Sequence, residues 1–271
     1  MKGSYPKILN DPERGAEANK LLNDAQAMLK KIIAGRWLTA NAVTGFYPAN
    51  TINEDDIEVY TDDTRNKVRT ILHSLRQQTK KPVGIFNVAL ADFIAPKETG
   101  VKDYIGGFAV TAGIGIEKQL AKFEKDHDDY SAIMLKAIAD RLAEAFAELM
   151  HQKVRKELWG YAPNEKLSSE ELIKESYTGI RPAPGYPASP DHTEKLLHFE
   201  LFEVEKNTGI HLTESMAMYP TAAVSGIYFA LADSHYFALG KITREQAEDY
   251  ARRKGITFEE AEKWLRPSLN Y

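Results

Sequence analysis

The stretch Arg181-Pro-Ala-Pro-Gly-Tyr-Pro-Ala-Ser-Pro190 holds four of the chain's twelve prolines in ten residues. Proline lacks a backbone donor and fixes φ, so this stretch can be neither helix nor central strand. The expectation is a pinned, extended loop. Arg181 opens it with a guanidinium fork, Gly185 lets another molecule approach the backbone closely, and Tyr186 offers an aromatic face. Fixed backbone groups beside one guanidinium suit the carboxylate of an amino acid. A rigid structural connection is the alternative reading of the same residues.

Asp140, Glu144 and Glu148 recur every four residues in a stretch, Ser131 to Trp159, that has no Gly or Pro. That spacing sets three carboxylates along one helix face. An ordinary solvated surface is the plain account of such a face. Other candidate motifs fall short of chemistry. Gly113-Ile114-Gly115 precedes a helix, but Lys118 takes the place of the third glycine of a dinucleotide loop. His127-Asp128-Asp129 is a run of neighbours whose side chains diverge, so a helix entry explains it better than a metal site. Asp233-Ser234-His235 begins like a cobalt-ligating His motif, yet Ala238 stands where that motif closes on Gly. Ser225 lacks the flanking glycines of a nucleophile elbow. No catalytic residue and no metal ligand is assigned.

Composition narrows the classes further. With no cysteine, the chain can form no disulfide, thiolate metal site or Cys nucleophile. It carries 35 Lys and Arg against 39 Asp and Glu, a formal net charge of -4, without the basic excess of a nucleic-acid binder. The weakly polar run Thr221 to Ala232 is well short of the roughly 20 apolar residues a membrane span needs. Met1-Lys2-Gly3-Ser4-Tyr5-Pro6 has no apolar run behind it and is no signal peptide. The expectation is a cytoplasmic protein with neither nucleic acid nor membrane as partner.

The elements that must position these residues follow from periodicity. Glu13 to Ala34 spaces Leu21, Leu22, Ala25, Met28, Leu29 and Ile32 as an amphipathic helix. Val43 to Tyr47 and Ile57 to Tyr60 read as strands, and Thr64 to Gln78 as a helix with a basic outer face. Val83 to Leu90 and Gly107 to Ala112 read as strands. Ser131 to Trp159 is the longest helix, with Ile138, Leu142, Phe146, Leu149 and Leu158 as its apolar stripe and the three acids opposite. Thr193 to Asn207 reads as a helix, Val224 to Leu231 and Tyr236 to Leu239 as β segments. Two short helices close the chain, capped by Thr243 and Thr257, with Glu260 completing a capping box. One mixed α+β domain accounts for residues 1–271.

With these segments in view, the chain resembles the C-terminal activation (reactivation) domain of cobalamin-dependent methionine synthase. The resemblance is carried by Gly45-Phe-Tyr-Pro-Ala-Asn50, Asp55-Asp-Ile-Glu-Val-Tyr60, Leu90-Ala-Asp-Phe-Ile-Ala-Pro96, Asp103-Tyr-Ile-Gly106 and His127-Asp-Asp-Tyr130. It continues through Asp140-Arg-Leu-Ala-Glu-Ala-Phe-Ala-Glu148, Gly179-Ile-Arg-Pro-Ala-Pro-Gly-Tyr-Pro187, Leu212-Thr-Glu-Ser215, Val224-Ser-Gly226, Glu248-Asp-Tyr-Ala-Arg-Arg253 and Leu269-Asn-Tyr271. It implies a helmet- or C-shaped domain around a twisted antiparallel sheet, either excised or split from a larger enzyme.

The implied function is to bind S-adenosylmethionine (AdoMet) and support reductive methylation of cob(II)alamin. That places it in a methyltransferase of methionine biosynthesis, as a domain that does not turn over alone. The implied partners are a cobalamin-binding module, which carries the cobalamin, and a flavodoxin-type electron donor. The resemblance puts Asp92 on the ligand's amine, Arg181 on its carboxylate, and the backbone of Ala183, Gly185 and Tyr186 around it. Tyr236 and Phe237 would wall the adenosine, and Glu144 and Glu175 would lie near the sulfonium. Asp140, with Glu144, would face the cobalamin module; a second acid of that face falls near Ile116, where this chain has Glu117 one place later. A free-standing AdoMet-binding or sensing module, without a cobalamin partner, is the alternative.

Overall fold

The computed structural model describes residues 5–271, so Met1 to Ser4, part of the stretch expected to be no signal peptide, lie outside the described residues. Helix α1 (Gly15–Gly35) is followed by strands β1 (Thr39–Ile52), β2 (Asp56–Tyr60) and β3 (Val68–His73). An irregular segment leads to β4 (Asp103–Ile114), α2 (Ile116–Lys125) and α3 (Asp129–Lys153), which runs into a π-helical turn, Val154–Leu158. After the short α4 (Ser169–Ile173) come the proline loop, α5 (Glu194–Leu201) and α6 (Val204–Thr208). The chain ends with β5 (His211–Leu212), β6 (Met218–Tyr219), β7 (Ala223–Tyr228), α7 (Arg244–Lys254) and α8 (Phe258–Leu265).

Five strands form one antiparallel sheet in the order β3-β2-β1-β4-β7, giving the expected α+β class. β4 is buried along most of its length because both faces are covered. Ile105 and Ala109 join a core with Leu201, Phe202 and Val204, while Phe108, Val110 and Ala112 face helix-side clusters built with α3. Two residues per repeat thus serve two cores. The helix expected near Thr193 to Asn207 is broken into α5 and α6 at Glu203, whose φ is 47°.

Four expectations are corrected. Thr64 to Gln78 is not a helix. Asp62 accepts from the Thr64 amide and Arg65 takes φ 57°, which turns the chain into β3, where β-branched Val68, Thr70 and Ile71 pair with β2. Val83 to Leu90 forms no strand: Gly84 has φ 87°, and Val83, Ile85 and Phe86 are exposed. Tyr236 to Leu239 runs beside the proline loop without joining a sheet. On α3 the buried line is Met134, Leu135, Ala139, Ala143, Ala147 and His151, while Leu149 and Leu158 are exposed. Small alanines let the helix sit close on the sheet, so the larger apolar residues flank the contact. Glu148, next to Ala147, therefore stands at the edge of that contact and not on an opposite face.

Candidate functional site

The proline loop is laid along the outer edge of β7. Ile180 exchanges two backbone hydrogen bonds with Phe229, both 3.0 Å, and Pro182 O accepts the Ile227 amide at 2.8 Å. Proline is tolerable there because its missing donor faces away from the ladder. The close approach needs glycine on the strand: a Cβ at Gly226 would stand 2.9 Å from Phe108 Cε1 and 3.0 Å from Pro182 O. On the far side, Leu239 donates its amide to Pro187 O at 2.8 Å. The loop is thereby clamped between β7 and the segment before α7.

Between these walls lies a groove of about 690 Å³. Arg181, Ala183, Tyr186, Tyr236 and Phe237 line it, together with Glu144 from α3 and Glu175. The backbone amide of Arg181 donates to Tyr236 Oη at 3.0 Å. Its guanidinium meets Glu148 Oε2 at 2.8 Å and His151 Nδ1 at 3.3 Å. Burial alone would lower the hold of Arg181 on its proton, but the Glu148 carboxylate outweighs it and the value rises. The fork retains N–H donors beyond those two contacts, so it can still reach a carboxylate in the groove.

A polar layer under the groove sets Arg181 in place. His151 is stacked on Tyr228, ring centroids 4.9 Å apart, and meets Tyr177 edge-on at 4.9 Å. Burial, with the charges of Arg155 and Arg181 beside it, pulls the imidazole down to about 2. The ring is therefore neutral. Accepting from Arg181 at Nδ1 assigns its proton to Nε2, which lies 3.2 Å from Tyr161 Oη. The π-helical turn carries Arg155 into the same layer, where Glu165 holds it by two bonds of 2.7 and 2.8 Å and Tyr177 lies 4.1 Å beneath its charge. Burial also raises the phenols of Tyr161, Tyr177 and Tyr228, so the tyrosines here are neutral.

Two residues expected at the ligand do not line this groove. Asp92 sits in a 3-10 turn and lines a neighbouring cleft. Arg76 grips both of its oxygens at 2.7 and 2.8 Å while spending its remaining donors on Asp55, Asn87 O and Glu54 O. The pair ties the 3-10 turn to β3's outgoing segment. The next residue, Phe93, is the one that faces the groove wall, packing edge-on against Phe237 at 6.2 Å. At Gly185 the amide bonds Ser189 O at 2.6 Å, and the missing Cβ leaves room for the His192 ring. Asp140 is half-buried on α3 one turn before Glu144 and does not line the groove.

A family model described as "Vitamin B12 dependent methionine synthase, activation domain" matches residues 1–255. The chain belongs to this family. The fold of the activation domain agrees over its whole length. A crystal structure of the MetH reactivation domain bound to AdoHcy matches with a TM-score of 0.97 and 56% identity, covering 100% of this chain and 83% of that one. Among the described residues of the activation domain no helix is long and apolar enough to cross a membrane, and no cluster of His, Asp and Glu could hold a metal.

Sequence reasoning missed four members of the activation domain's groove and its support. Glu148 was legible as the third acid of its face, but its bond to Arg181 spans 33 positions and leaves no local trace. His151 shares the helix spacing of the alanine line, where an imidazole among small apolar residues was the available signal. His192 and Lys195, three apart at the start of α5, follow the proline loop directly.

Proposed function

We propose that this chain binds S-adenosylmethionine in the groove between the proline loop and Tyr236-Phe237, and holds its methyl group for the reductive methylation of cob(II)alamin carried by a cobalamin-binding module. The observation that carries this reading is the groove itself, in a chain that shares its fold end to end with a reactivation domain holding AdoHcy. Its volume of about 690 Å³ is in the range of sites for ligands of that size. Its chemistry fits as well. Arg181, kept charged by Glu148, supplies donors for a carboxylate. Glu144 and Glu175, both exposed, place negative charge along the path of a sulfonium and an ammonium. Tyr186, Tyr236 and Phe237 give aromatic surface for a nucleoside.

The cobalamin supplies the methyl acceptor; this chain contributes position. A methyl group fixed at the mouth of a rigid groove meets its acceptor without the entropy cost of a free encounter. Rigidity comes from the loop clamp and the neutral His151 layer. Asp140 and Glu144, one turn apart on α3, face the cobalamin-binding module, and a flavodoxin-type protein supplies the electron. Taken alone the chain does not turn over.

Calorimetric titration of the isolated chain with AdoMet and AdoHcy tests the reading. Saturable binding is expected, and Arg181→Ala should weaken it by about 2–4 kcal/mol, because a charge-assisted contact in a closed site is lost. No saturable binding to the wild type, or binding untouched by Arg181→Ala, refutes it.

A further inference from the structure

The groove contains a cation for which the protein supplies no anion. Lys195 projects from the first turn of α5, is 7% exposed, and lines the same groove as the acids. Its Nζ meets His192 Nδ1 at 2.8 Å and Met216 O at 3.0 Å. Among the described residues no carboxylate lies within ion-pair distance of it, and burial alone lowers its hold on the proton. An ammonium has three donors, of which His192 and Met216 take two. The third has no acceptor from the protein. On β7, the Ser225 hydroxyl is 3% exposed, lines the same groove and has no hydrogen-bond partner. Unsatisfied buried donors are costly, and two lining one groove point to a polar group arriving from outside the chain.

The charges also orient that group. A sulfonium and an ammonium are attracted to Glu144 and Glu175 and repelled by Lys195, so the cationic half of the ligand belongs near the acids. The nucleoside half is left for the Lys195 end. A ring nitrogen of a purine accepts and cannot donate, which matches a side chain that donates and cannot accept. We propose that Lys195, aimed by His192 and Met216 O, donates a hydrogen bond to a purine ring nitrogen of the bound nucleoside and so determines specificity for the base. This rests on the AdoMet reading given above.

The test uses the intact chain, AdoHcy, and its 1-deaza, 3-deaza and 7-deaza analogues, each titrated into wild type and Lys195→Met. One analogue is expected to bind the wild type about 10- to 100-fold more weakly than AdoHcy, the range for one hydrogen bond to a charged donor. Lys195→Met should bind that analogue and AdoHcy equally. Wild type that treats all three analogues like AdoHcy overturns the proposal, as does a variant that still discriminates; a lysine that merely ties α5 to Met216 would give the latter. Should Lys195→Met not fold, the nitrogen-15 signal of the wild-type Lys195 ammonium decides. It moves with AdoHcy and stays with the discriminated analogue, and no movement with AdoHcy rejects the contact. Failure of the wild type to bind AdoHcy at all rejects the ligand reading itself, a result distinct from these.

Discussion

Acid should destabilise this domain through two buried imidazoles, of which His151 reports on the groove. Its folded value is about 2 against 6.5 for an unperturbed ring, and His198, enclosed on the buried face of α5, falls to about 3 through burial. Between those values the unfolded chain binds a proton that the folded chain refuses. Stability is therefore complete above 6.5 and declines as pH falls below it. From about pH 7.5 to about pH 5.5 the loss is about 1.4 kcal/mol for each ring, or about 2.7 kcal/mol for both. That is a large share of the roughly 5–15 kcal/mol that holds a typical domain together.

The perturbation that isolates the group is His151→Phe. Phenylalanine keeps a ring between Tyr228 and Tyr177 but removes the acceptor for Arg181 and the donor to Tyr161. At neutral pH the variant should be about 1–3 kcal/mol less stable for those lost partners. Its further loss on acidification should be smaller than that of the wild type by about 1.4 kcal/mol, because one titrating ring is gone. Urea unfolding followed by circular dichroism at the two pH values measures both quantities, and other titrating groups cancel in the comparison. An acid loss identical to that of the wild type would refute the buried neutral ring. So would a folded-state NMR titration in which His151 takes up its proton near 6.5.

Asp92→Asn breaks the paired grip of Arg76, and with the Asp92 side chain 37% exposed the cost should be modest, about 1–2 kcal/mol by thermal melting. AdoHcy affinity should stay within about twofold; a large loss of affinity would put the residue back at the ligand. Gly185→Ala must seat a Cβ 2.2 Å from His192 Cε1 at a backbone φ of 95°, so melting should show a loss of at least about 2 kcal/mol. AdoHcy titration should weaken with it, since the displaced His192 is a wall of the groove. A neutral Gly185→Ala would show that the loop is free to shift.

Local pattern settled what depends on neighbours in the chain. The proline run declares an extended loop because its φ angles and missing donors are intrinsic to those residues. Helix α1 and the closing helices follow from apolar spacing and from threonine caps, and the Thr257 and Glu260 box is present as read. The order of elements carried the α+β class, and the resemblance, spread over many short motifs, carried the family. Where the reading failed, the deciding contact was distant. Thr64 to Gln78 has helical spacing, but its β-branched residues are captured by the register with β2. The apolar stripe of α3 was misjudged because a sheet that accepts close packing rewards alanine over leucine.

The site divides along the same line. Arg181, Tyr186, Tyr236 and Phe237 could be named from type and motif, and they do line one groove. Residue types alone could not distinguish Asp92, a carboxylate spent on Arg76, from Glu148, a carboxylate spent on Arg181. Both are acids in quoted motifs, and only the fold decides which cation each one faces. Gly185 shows the same limit at the backbone: its sequence signals a need for space, and the tertiary structure gives that space to His192. Charge state follows last, since the neutrality of His151 and the unpaired ammonium of Lys195 arise from burial among residues far apart in the chain. The sequence by itself determined the proline loop, the amphipathic α1, the capped closing helices and the family motifs, because propensity and spacing act locally. The tertiary structure decided which polar groups are already satisfied and which remain open to a ligand, because hydrogen-bond partners and desolvation are set by what packs alongside.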